Sequence, residues 1–71
     1  MLDLYAVVSG ARVGFEVKRT DRPRITPSMR RAMDDLELDH LVVIHAGTER
    51  FMLAQTIEAV PAIQALTEGW H

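Results

Sequence analysis

The chain has 71 residues, of which 48% are hydrophobic and 25% charged, with no cysteine and a net charge of −2. A domain this short buries only about 60% of the surface its unfolded chain exposes, and with no cysteine it has no disulfide or thiolate metal site to compensate. A disulfide scaffold and a second domain within these residues are excluded, the apolar share favours a folded domain over a disordered one, and oligomerisation is the expected source of extra stability.

No apolar run approaches the roughly 18 residues of a membrane span. The start, MLDLYAVV, carries Asp3 and no basic leader, so it does not read as a signal peptide. A cytoplasmic protein without membrane contact is the expectation. Charge is unevenly spread. Arg12, Lys18, Arg19, Arg22, Arg24, Arg30 and Arg31 face only Glu16 and Asp21, a surplus of five; elsewhere Arg50 stands against eight acids, a deficit of seven. A basic segment in an acidic chain suits a phosphate-bearing partner or an acidic surface on another subunit, and it equally suits a solvated face.

In chain order, Leu2 to Val8 and Arg12 to Arg19 read as strands joined at Ser9-Gly10-Ala11, a hairpin signal. TDRPRITPS has two prolines and no periodicity, and so is a loop. Thr26-Pro27 opens a helix, with Thr26 as cap and Pro27 in the first turn. Met29, Met33 and Leu36 recur at helical spacing, with Ala32 alongside, while Arg30 and Arg31 lie off that stripe. Leu41 to His45 is a near-continuous apolar run with β-branched residues, as expected of a central strand buried on both faces. Phe51 to Leu53 fits a short extended piece, Thr56 to Val60 another strand, and Ala62 to Leu66 a last helix after Pro61, with Gly69 as its stop. His40 and His45 read as structural, and Met29 and Met33 as core. Trp70 is open to packing on a neighbouring subunit or to disorder. The expected order is β-β-α-β-β-α, an α/β domain with a small mixed sheet and one helix over a face of it.

The hairpin carries the chemistry. A loop with Gly10 and Ala11 at its tip sets Val8 against Val13, Tyr5 against Glu16 and Asp3 against Lys18, so that Asp3, Tyr5, Glu16 and Lys18 share one face. Asp3 and Glu16 are then diagonal neighbours, within reach of one hard cation such as Mg²⁺ or Mn²⁺. Such an ion lowers the pKa of bound water and stabilises charge on phosphorus oxygens. Lys18 would orient the attacking water or neutralise the transition state. The arginines that follow would hold a phosphate backbone without reading its sequence. The same spacing also fits a solvated ion pair between Asp3 and Lys18, with Glu16 another exposed charge.

An Asp on one strand and Glu-x-Lys on the next, followed by a helix, resembles the PD-(D/E)XK nuclease superfamily. The run GFEVKRTDRPRITPSMRRAMDDLELDHLVVIHAG is similar to the C-terminal domain of bacterial AAA-type ATP-binding proteins that carry a DUF4143 region. The likeness extends from Leu2 to about Leu66. It implies a partial restriction-endonuclease-like core spanning residues 1–71, without that core's N-terminal helix and first strand. No Gly-x-x-x-x-Gly-Lys loop, and hence no ATPase module, occurs in the chain. By position, the resemblance assigns Asp3, Glu16 and Lys18 as catalytic, Asp3 and Glu16 as ligands of Mg²⁺, and Arg19, Arg22 and Arg24 as neighbours of the site. Arg30 is added as a further phosphate contact.

The function expected is Mg²⁺-dependent phosphodiester hydrolysis by a nuclease-like part of a larger ATPase-linked protein. The alternative is a non-catalytic nucleic-acid-binding or homo-oligomeric assembly module that keeps the fold. A homodimer covering apolar sheet surface, a nucleic acid and a separate ATPase subunit are the expected partners.

Overall fold

A computed structural model describes residues 3–69. Seven elements follow in order: β1 (Leu4–Val8), β2 (Ala11–Val17), α1 (Pro27–Asp35), β3 (His40–His45), β4 (Phe51–Ala54), β5 (Ile57–Pro61) and α2 (Ala62–Thr67). The strands form one mixed sheet in the order β1-β2-β3-β5-β4. β2, β3 and β5 run parallel in its centre, and β1 and β4 close the edges antiparallel. The α/β class and mixed sheet agree with the sequence reading, and Phe51–Ala54 adds a fifth strand to the expected order. Leu2 and Trp70 lie outside the described residues.

The hairpin turns at Ser9-Gly10, both with positive φ (51° and 82°), the backbone of a two-residue turn whose twist suits the flanking strands. Leu4 therefore pairs with Phe15, Tyr5 with Gly14, Ala6 with Val13 and Val8 with Ala11. The expected tip at Gly10-Ala11 is corrected by a two-residue shift. An even shift keeps every paired residue on its expected face but changes which residues meet. Tyr5 lies opposite Gly14 and not Glu16.

Thr26 Oγ1 accepts the Met29 N–H at 3.2 Å, and Pro27 occupies the first turn of α1, as the sequence signals require. At the other end Glu37 takes a positive φ of 51°. Leu38 N–H donates to Met33 O at 2.9 Å, and Glu37 N–H to Asp34 O at 3.3 Å. This paired closure ends the helix and folds Leu38 back into the core. Leu36, expected on the apolar stripe, is the cap residue and stands exposed, and buried Leu38 takes its place.

In-register neighbours share a face, so the sheet sorts its side chains into two layers. Under α1 lie Met29, Leu38, Leu41, Val43 and Ile57, with Ile25, Met33 and Leu53 around them. Val13, Val42 and Val60 form the other layer, packed with Phe15, Ile44 and Ala65 of α2. Each fully buried aliphatic side chain contributes about 1.5–3 kcal/mol, which is what a chain of this length has to offset its lost conformational entropy. At the far edge Arg50 grips Glu58 with two bonds, at 2.7 and 3.2 Å. That hydrogen bond raises the guanidinium above its ordinary pKa.

Candidate functional site

β2, β3 and β5 all end on the same side of the sheet, and the carboxyl ends of parallel strands are where open α/β sheets bind ligands. Glu16 lies in register with Val43 of β3, on the α1 face and only 1% exposed. A carboxylate removed from water is costly unless a partner compensates it. Lys18, two residues on and on the same face, places Nζ 3.0 Å from Glu16 Oε2. With its side chain 36% exposed, Lys18 spans from the buried carboxylate to solvent along its apolar stem. The Glu-x-Lys spacing thus builds one compact unit, a buried acid held by a lysine that still reaches the surface. An exposed Glu16, one form the ordinary ion-pair reading takes, is not what the fold produces.

Asp3 is engaged differently from the expected diagonal pair. Its N–H donates to Phe15 O at 3.0 Å, and its carboxylate Oδ2 accepts from the Val17 N–H at 2.8 Å. One oxygen of Asp3 thereby completes the ladder beyond the end of β1. The residue also lines an apolar groove on the α2 face, beside Leu4 and Val17. The two-residue change of register is the cause, because continuing it one position beyond Leu4–Phe15 sets Asp3 opposite Glu16 and not opposite Lys18. Among the described residues, no group of three or more His, Cys, Asp or Glu stands ready to hold a metal ion. Mg²⁺ does not need one, since it is usually held by one or two carboxylates and keeps several waters.

His45, read from the sequence as structural, is buried on the same face as Glu16. It ends β3, pairs with Pro61 of β5 and is 1% exposed. By alternation from Val43 it projects to the α1 face, the side that holds Glu16. Gly47 N–H donates to its Nδ1 at 3.0 Å, so the neutral ring carries its proton on Nε2. That Nε2 is buried with no hydrogen-bond partner among the described residues. Phe51 packs against the ring at a centroid distance of 5.6 Å. Two lone histidines five apart gave no metal-ligand spacing, so only the strand register links His45 to Glu16. His40, on the opposite face, is exposed.

The loop after β2 is fastened to the loop after β3. Ala46 N–H donates to Thr20 O at 3.0 Å. A Cβ on Gly47 would sit 2.6 Å from Asp21 O and 3.0 Å from His45 Nδ1, too close for any side chain there. Asp21, Arg22, Gly47, Thr48, Glu49 and Phe51 border a cleft of about 250 Å³ at this junction. Arg22 is the expected phosphate contact that reaches it. Arg19, Arg24 and Arg30 are exposed, Arg30 on α1 and the other two on the loop, where they widen the basic surface without joining the cleft.

This chain is 52% identical over 68 residues to uncharacterized proteins of Mycobacterium tuberculosis (strain H37Rv) and Mycobacterium bovis. The matched stretch is 96% of this chain and 15% of each relative, so the chain spans a small part of their length. No family model matches it, and no solved structure does.

Proposed function

We propose that this chain is a nuclease-like domain whose reaction is Mg²⁺-dependent phosphodiester hydrolysis. The observation that carries this reading is the buried Glu16 carboxylate 3.0 Å from Lys18 Nζ, at the carboxyl end of β2 beside an exposed arginine loop. A buried carboxylate held by an ammonium is costly as packing and useful as chemistry. Glu16 would be the main hard oxygen donor to Mg²⁺, which one or two carboxylates and several waters usually hold, and the Asp3 oxygen that does not bond Val17 would be the second. When bound, the ion supplies an acidified water and charge neutralisation at phosphorus. Lys18 orients that water or offsets charge on the phosphoryl oxygens. Arg22 at the cleft, with Arg19, Arg24 and Arg30 outside it, holds the phosphate backbone by charge.

One observation favours the second reading, a non-catalytic nucleic-acid-binding or assembly module. Asp3 already spends one carboxylate oxygen on Val17, which leaves Glu16 as the main acid of the site. The partners that accompany these readings are a nucleic acid, a second copy of the chain and a separate ATPase subunit, in the cytoplasm. A membrane has no part in them, and no helix among the described residues is long and apolar enough to cross one.

Cleavage of single- and double-stranded oligonucleotides with Mg²⁺ or Mn²⁺ separates the two readings. Hydrolysis that stops in Lys18→Ala is the expected result. Binding that weakens steeply with salt, without cleavage by the folded wild type, would leave the module reading in its place.

A further inference from the structure

The two edges of the sheet are built differently. β4 has four residues, a register shift between Met52 and Ala54, and the Arg50–Glu58 ion pair at its start. Short length, bulges and charge are how sheet edges are kept from pairing with other chains. β1, the sequence LYAVV, has none of these: no charge, no proline and an unbroken register with β2. Leu4 and Val7 are 60% and 61% exposed, and Tyr5 and Val8 are exposed as well. Beside β1 on the α2 face, Leu4, Phe15, Val17, Ile44 and Leu66 line an open apolar groove of about 490 Å³.

We propose that β1 is the interface for a second copy of this chain, which pairs with it antiparallel about a two-fold axis through Ala6. The strand is self-complementary in that register. Ala6, the smallest side chain of the five, lies on the axis. Tyr5 meets the partner's Val7 on one face, an aromatic–β-branched pair, and Leu4 meets the partner's Val8 on the other. Charge disfavours the parallel sense. A parallel arrangement would set Asp3, which directly precedes β1, beside the partner's Asp3, whereas the antiparallel one keeps the two carboxylates at opposite ends of the paired strands. An interface of this kind is isologous and closes at two copies, giving one continuous sheet whose exposed edges are both the guarded β4. Neither Glu16 nor Lys18 is on β1, so the interface stands whether or not the site cuts.

Sedimentation equilibrium of the full chain from micromolar to millimolar concentration tests this, beside Val7→Lys and Ile63→Lys. Both positions are exposed, at 61% and 67%, so neither lysine enters a core, and circular dichroism of each variant checks its fold. A wild-type dimer whose dissociation constant rises at least about tenfold in Val7→Lys, and is unchanged in Ile63→Lys, is expected. A wild type that stays monomeric throughout would overturn the proposal. So would a dimer that survives Val7→Lys or that Ile63→Lys breaks, since the contact would then lie elsewhere.

Discussion

The two faces of the sheet differ in what they bury and in what they leave open. The α1 face is well covered, yet it buries Glu16 and His45 among Leu41, Val43 and Ile57. The α2 face is apolar throughout its core, Val13, Val42 and Val60, yet stands open around Leu4, Val17 and Leu66. Stability alone gives no reason to bury an acid under the helix or to leave aliphatic surface open on the other side. A chain of this size has little surplus for such choices. The covered face is therefore read as chemistry held in a dry setting, and the open face as surface kept for association.

The largest expected effect tests the covered layer. Met29→Ala removes a fully buried side chain and should cost about 3 kcal/mol, enough to leave much of the protein unfolded. Ile63→Ala, on the exposed side of α2, should cost less than about 0.5 kcal/mol. Equal costs in urea melts would erase the contrast between the faces. The double change Glu16→Leu with Lys18→Met follows, with a sign that separates chemistry from packing. Replacing both partners of a buried pair by apolar side chains strands no charge, so stability should be unchanged or rise by about 1–2 kcal/mol. A loss of that size would make Glu16 a structural residue. The smallest effect lies at the end of α1. Glu37→Gly relieves the positive φ of 51° and should add about 0.5 kcal/mol, or roughly 2–4 °C in Tm. No change in Tm would show that this turn is unstrained.

Much of the fold was legible because its signals are local. Thr26-Pro27 announces α1 by capping chemistry, and the β-branched run Leu41 to Ile44 announces a central strand. β4 was harder, since FMLA is short and its partner β5 is set by tertiary pairing. The hairpin tip was not legible at all. Turns through Ser9-Gly10 and Gly10-Ala11 are both allowed locally, and the choice depends on Leu4 meeting Phe15 and on Asp3 reaching Val17. The candidate site inherits this split. Glu16 and Lys18 fall on one strand, where alternation alone brings them together. Asp3 and His45 depend on neighbouring strands, so the bond from Val17 to Asp3 and the burial of His45 on the Glu16 face were not legible.

Calorimetric titration of Mn²⁺ into the wild type and Glu16→Gln tests the central claim most directly, because it asks whether the buried carboxylate is there to hold a cation. The account predicts saturable binding by the wild type that is lost in a folded Glu16→Gln. No binding by the folded wild type, or equal binding by both proteins, would contradict it.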